Sequence, residues 1–301
     1  MVAYRRQFQL FLGFAYRSGI KTVLSVPSII SFLEFLLACN TSVRVLNNYV
    51  SGIRGYLNIY GLPTRWMEHR MLSNYLRAVQ LQVPHVKKVK NVITLQNLRD
   101  ISMLLDRFDH AIQYRAAFLV SFYAFLRISN IVPPTQKTFD VTRQLCYEDI
   151  TFTQHGITLY LKWAKNLQKT EQSHLVLLPK MHDVYLCPCE AILALVRQQG
   201  HSPKDPLVKS AKGVFTESML RRRWSLMLRM LLLPHESLTF HSLRRSAASL
   251  AFNNDVSMES IRNHGAWNSD SVYQYLFANS QRVREVPNMF RSLEVKTFKG
   301  S

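Results

Sequence analysis

The chain has 301 residues, with 38 Lys and Arg against 19 Asp and Glu, a formal net charge of +19 with its ten His neutral. At 48% hydrophobic and 11% aromatic it is too apolar for a disordered tail, and at roughly 100 to 200 residues per domain it predicts two domains. No apolar run reaches the ~18 residues that cross a bilayer, no secretory pattern opens the chain, and four Cys are too few for a disulfide scaffold, so we expect an intracellular protein with free thiols and no membrane partner.

In chain order, a helix is expected over Tyr4 to Tyr16, then a shorter apolar stripe opening behind Pro27-Ser28 with Ile29, Leu33, Leu36 and Leu37. Val43, Leu46, Val50, Ile53, Leu57 and Tyr60 recur every three or four positions and mark a long helix that stops at Gly61-Leu62-Pro63. Leu72, Tyr75, Leu76 and Val79 give another, studded with Arg65, Arg70 and Arg77. Residues 1–82 therefore read as a small helical bundle. The basic stretch 83–91, with Pro84, Lys87, Lys88 and Lys90, reads as a linker to a second domain over 92–301.

Thr94 is the expected N-cap of a helix bearing Leu98, Ile101, Leu105 and Phe108. Ala111 to Arg127 is apolar nearly all round, as in a buried helix, and Val132-Pro133-Pro134 forbids its continuation. Ile157 to Trp163 and His174 to Leu178 have strand character, separated by the polar stretch 164–173 and extended by 149–152 into a meander. Helical periods return from Cys189, through Leu220, Trp224, Met227 and Leu231, and in the segments 242–252, 257–263 and 269–279. The expected fold is mainly α with one small antiparallel β-sheet.

A surplus of positive charge attracts polyanions, and nucleic acid is the commonest inside a cell. His241 and Arg244, three apart at the start of a helix, share one face suited to a phosphate. Arg127 ends the buried helix where a core would want no charge, so an anion is expected beside it. Lys165 follows the apolar strand, and Gly265-Ala266-Trp267 precedes a pair of tyrosines, Tyr273 and Tyr275.

Arg127 in Leu-Arg-Ile-Ser, Lys165 after the strand, His241-x-x-Arg244, Trp267 and a tyrosine eight residues later resemble, in order, the active-site signature of the tyrosine recombinase (phage integrase) family. Asn130-Ile131-Val132-Pro133, Leu186-Cys187-Pro188 and Trp267-Asn268-Ser269-Asp270 resemble the recombinases of eukaryotic mobile elements of the Crypton and Ngaro kinds. The motifs span about 95–279, and residues 1–82 fit the family's core-binding domain by character and position.

The resemblance implies a two-domain clamp around double-stranded DNA and a site-specific recombinase or integrase. Strands would be cut and rejoined through a 3′-phosphotyrosine, without metal, ATP or other cofactor. It implies Tyr275 as nucleophile, Arg127 and Arg244 as phosphate clamps, His241 as proton acceptor or phosphate donor, Trp267 as a positioner and Lys165 as general acid. It also implies a homo-tetramer on two DNA sites, a monomer or dimer without DNA, and a nuclear location in a eukaryotic host, otherwise a cytoplasmic one. Arg65, Arg70, Arg77, Lys87, Lys88, Lys90, Arg221, Arg222 and Arg245 are the expected DNA contacts.

Several readings stay open. Tyr273 competes with Tyr275, about 200 degrees away on a helix, and Lys169 and Lys162 compete with Lys165, although Lys162 alternates with the buried strand face and is expected in solvent. Asn130 stands where the family often has an acid, which leaves open how Arg127 is held. His264 is expected to be structural, and Cys187-Pro188-Cys189 is poorly spaced for zinc. The rival functions are a catalytically silent, domesticated DNA-binding protein and a type IB-like topoisomerase.

Overall fold

In the computed structural model, residues 2–82, 91–162, 174–198, 202–267, 272, 273 and 276 are described. The chain divides into two compact units, 1–87 and 88–301. Of the expected linker, Asn91 is described, and 83–90 lie outside the described residues.

The first unit contains α1 (Val2–Arg17), α2 (Val26–Ala38), α3 (Val43–Ile59), a 3-10 turn at Arg65–Glu68 and α4 (Arg70–Gln82). Its core is Phe11, Ile29, Phe32, Leu33, Leu46, Ile53, Leu57 and Leu72, the stripes that the sequence periods mark. α2 opens earlier than Pro27-Ser28, because Ser25 caps it and exchanges hydrogen bonds with Ser28 in a capping box. α3 stops where expected, with Gly61 in the left-handed region at φ 65°.

The second unit begins with α5 (Leu95–Leu104), capped by Thr94 as expected. α6 (Ala111–Tyr123) is buried on nearly every side and packs against α8 (Pro188–Gln198), α9 (Glu217–Met230) and α10 (His241–Asn253). Phe118 meets the rings of Trp224 and Phe240 edge to face. A short α7 (Ile128–Ile131) follows α6, and α11 (Met258–His264) follows α10. The expected helix 269–279 lies almost entirely outside the described residues.

One antiparallel sheet has the order β1 (Ile150–Thr153), β2 (Gly156–Leu161), β3 (His174–Pro179), with Leu159 opposite Ile150 and Val176. Ile157, Leu159, Leu161, Val176 and Leu178 face the core. A two-residue pair, β4 (Lys209–Ser210) with β5 (Gly213–Val214), was not apparent in the sequence because elements so short carry no period. Among the described residues no helix is long and apolar enough to cross a membrane.

α6 ends at Tyr123, four residues before the expected Arg127. Leu126 N donates to Ser121 O at 3.0 Å and Phe125 sits at φ 49°, a helix ending with a left-handed residue that is usually glycine. The strain of a non-glycine residue there is of order 1–3 kcal/mol and persists only where surroundings impose it. Here the Phe125 ring is buried edge-on to His264 at 4.6 Å and beside Trp267 at 6.0 Å. The reversal carries Arg127 out of the helix and makes it the residue preceding α7.

Candidate active site

Arg127, Ile128, Ser129, Glu217, Arg221, Phe240 and His241 line one cavity of about 290 Å³, enough to admit a phosphate group. Asn130, buried at 4%, accepts a hydrogen bond on Oδ1 from Arg127 N at 3.2 Å, so it fixes the Arg127 backbone without a carboxylate's charge. Nothing charged is added beside the guanidinium by that arrangement.

Arg244 is 2% exposed. Its Nη1 donates to Phe125 O, Nη2 donates to Gly265 O at 2.8 Å, and the guanidinium lies 3.9 Å from the centroid of the Trp267 ring. The Phe125 bond also links Arg244 to the turn that carries Arg127. Trp267, 4% exposed, therefore supports Arg244 through its ring face. Gly265 makes the stacking possible: a Cβ there would lie 1.9 Å from Trp267 Cζ3 and 2.2 Å from Cε3. A glycine two positions before the tryptophan was the available signal.

His241 is the first residue of α10. Burial, and then the guanidiniums of Arg244, Arg127, Arg245 and Arg221, push its imidazole down to about 4. Solvent still reaches the residue, and its ring is neutral at pH 7. A neutral ring offers one donor and one acceptor, which suits it to accept a proton or to donate to a phosphate oxygen.

His264 is structural in its contacts. Its Nε2 donates to Tyr123 O at 2.7 Å, while its carbonyl accepts from His174 Nε2 at 3.1 Å. Burial lowers its pKa more than the Tyr123 bond raises it.

The other predicted residues fall in different places. Tyr275, Lys165, Lys169, Lys87, Lys88 and Lys90 lie outside the described residues. Tyr273 is described and 56% exposed. Arg65, Arg70 and Arg77 are exposed on the 3-10 turn and α4, and Arg222 is exposed on α9. Arg221 lines the cavity and donates from Nη2 to Glu217 Oε2 at 2.9 Å.

Arg245, expected on DNA, is half-buried and serves as a strut. Its Nη2 donates to Asn91 O at 2.6 Å and Ser242 Oγ at 3.1 Å, and Ser246 Oγ accepts from Ile93 N at 2.7 Å in the same seam. Burial lowers its pKa.

Lys162 is not in solvent. It pairs with Glu148 at 2.7 Å and Asp149 at 2.9 Å and donates to Val141 O at 3.1 Å. The face opposite the sheet's core is covered there by the chain entering β1, and Asp149 is 2% exposed. Cys187 Sγ accepts from Met181 N at 3.3 Å and Glu190 N at 3.4 Å, tying the start of α8 to the chain after β3.

No protein-family model and no curated protein matches this sequence. Solved structures do. The Tn1549 transposon integrase in complex with circular intermediate DNA superposes with a TM-score of 0.58 at 11% identity, over 92% of this chain and 97% of that one. The XerH site-specific recombinase bound to difH substrate gives 0.56 at 15%, over 96% and 79%. A lambda integrase dimer bound to a COC' core site gives 0.57 at 14%, over 93% and 88%. At such identities the likeness establishes architecture: mainly helical with a small antiparallel sheet, the second unit has the fold of the tyrosine recombinase catalytic domain.

Proposed function

We propose that the protein is a tyrosine-type DNA strand transferase, a site-specific recombinase of a mobile element. The observation that carries this reading is the convergence of Arg127 and His241 on one cavity, joined through Phe125 to a buried Arg244 stacked on Trp267. Four of the residues that the family signature picks out, Arg127, His241, Arg244 and Trp267, are thus neighbours in space although they span positions 127 to 267. Solved proteins of the same fold include DNA-bound integrases and a site-specific recombinase.

In the proposed reaction Tyr275 Oη attacks a backbone phosphorus of double-stranded DNA. A 3′-phosphotyrosine bond forms, the bond to the 5′-oxygen breaks, and Lys165 supplies the proton that the departing oxygen needs. Arg127 and Arg244 stabilise the charge that grows on the phosphate oxygens. His241 takes the tyrosine proton or donates to a phosphate oxygen. Arrival of the phosphate's negative charge opposes the guanidinium field, so the imidazole becomes a better base when substrate is present than its value of about 4 without it. The ester's energy is kept in the phosphotyrosine, and rejoining by a second strand's 5′-hydroxyl reverses the step. Exchange of four strands requires four subunits on two DNA sites.

A nicked suicide duplex tests this. The wild-type protein is expected to form a covalent 3′ adduct, and Tyr275→Phe to abolish the adduct while retaining DNA binding. An adduct formed by Tyr275→Phe would overturn the assignment. DNA binding with no adduct from the wild type would favour the silent binder, and relaxation of supercoils without strand exchange the topoisomerase.

A further inference from the structure

One carboxylate, Glu217, lines the cavity that holds Arg127 and His241. It is the first residue of α9, and its N donates to Pro133 O at 2.9 Å, which docks the head of the helix against the segment after α7. A glutamate in a first helical turn with an arginine four residues later is ordinary on a protein surface, favoured by the helix dipole and by the spacing. The placement here is not ordinary, because both partners line a cavity rich in cations. Arg221 is near enough to His241 to lower its pKa. A carboxylate in such a place weakens the cavity's hold on any phosphate.

We infer that Glu217 is an internal competitor for the phosphodiester: it holds Arg221 while the cavity lacks DNA and yields it when the backbone enters. Arg221 is then a third phosphate-binding cation beside Arg127, and Glu217 is the residue that positions it. The inference rests on the reading that this cavity receives a DNA phosphate. Its chemistry is balanced, since carboxylate and phosphodiester both accept charge-assisted hydrogen bonds from a guanidinium and the exchange replaces one such bond with another. Side-chain exposures of 51% for Arg221 and 23% for Glu217 leave the arginine room to turn. Phosphates that stay outside the cavity leave the pair closed, so only DNA seated at the reacting position has to displace Glu217 from Arg221.

The experiment measures binding of a fluorescein-labelled DNA duplex by anisotropy over a range of salt, with Tyr275→Phe in every protein so that covalent trapping does not enter. Glu217→Gln is expected to bind about twofold to fivefold more tightly, the range of an exposed ion pair. Arg221→Gln is expected to bind more weakly and to lower the slope of log affinity against log salt by about 0.9, one phosphate's worth. In the Arg221→Gln background, Glu217→Gln should lose most of its gain. An equal gain in both backgrounds, or an unchanged salt slope for Arg221→Gln, overturns the inference. The Tyr275-intact protein then still reports on strand transfer through its adduct, whereas loss of all DNA binding overturns both readings.

Discussion

Replacing Gly265 with alanine adds one methyl group, and the structure determines what it meets. The backbone at this position, φ −90° and ψ 4°, suits any residue, so only space is tested. The new Cβ would lie 1.9, 2.2 and 2.8 Å from Cζ3, Cε3 and Cη2 of Trp267, where ordinary contact begins near 3.4 Å. The ring must therefore retreat by roughly 1.5 Å, an overpacking that costs about 1–3 kcal/mol. It can retreat only by disturbing the Arg244 guanidinium, 3.9 Å from its centroid, or Phe125, 6.0 Å away. A loosened cation–π contact adds about 1 kcal/mol in a desolvated site. A total near 3 kcal/mol lowers Tm by roughly 6–12 °C for a domain of this size. Calorimetry reads that shift, and the suicide-DNA assay should show adduct formation falling by more than the unfolded fraction explains, because Arg244 has lost its seat. Gly13→Ala is the control, since its Cβ would meet only Arg17 Nη2, at 3.6 Å. If Gly265→Ala keeps both the wild-type Tm and the wild-type adduct yield, the Gly265–Trp267–Arg244 stack does not organise the site.

Three further outcomes follow from the same contacts. Arg245→Gln should cost about 1–2 kcal/mol through the lost bonds to Asn91 and Ser242 while leaving the salt slope of DNA binding unchanged, and a slope reduced by about 0.9 would return Arg245 to the DNA surface. Lys162→Met strands the buried Asp149 carboxylate and should cost about 2 kcal/mol in a urea titration, below the cost of breaking a fully buried pair because Lys162 is 22% exposed; no loss would mean a solvated lysine. His241 and His264 have native pKa values below the unfolded value of about 6.5, so the unfolded chain takes up their protons first and stability falls as pH drops below that point. Urea midpoints at pH 7.5 and 5 should show this fall, with a smaller one in His264→Gln, and a midpoint that rises on acidification would contradict it.

The helical faces could be read from sequence because their causes are local: a period of 3.6, a Ser or Thr cap, a glycine past the end. Thr94 and Gly61 needed nothing from the rest of the chain. The end of α6 was not legible for the opposite reason. Phe125 is a poor left-handed residue by itself, and what holds it there, His264, Trp267 and Arg244, comes from more than a hundred residues away. Lys162 shows the same limit. Strand alternation correctly set it on the face opposite Leu161, but only the tertiary fold brings Glu148 and Asp149 across that face. The bond from Arg245 to Asn91 O could not be read from local sequence, because that partner lies 154 positions upstream.

These partners divide the domain's cations into two kinds, and the division bears on the proposed chemistry. Arg99, Arg115, Lys162 and Lys209 are paired with carboxylates of Asp183, Asp106, Asp149 and Asp205. A phosphate approaching such a pair meets a dipole, and binding would require breaking the pair first. Arg244 donates to the carbonyls of Phe125 and Gly265 and lies over the face of Trp267, and these three contacts carry no formal charge. Asn130 fixes the Arg127 backbone in the same uncharged manner. Contacts of this kind orient a guanidinium without themselves cancelling its charge. The cost is a crowded positive field, which adds to burial in lowering the pKa of His241. An asparagine in place of an acid at position 130 thus holds the Arg127 backbone without adding a negative charge. Glu217 is the exception among the cavity's lining residues, and it sits on Arg221, the most exposed of the cations whose partners bear on the cavity, where a carboxylate can be displaced without opening the buried Arg244 stack.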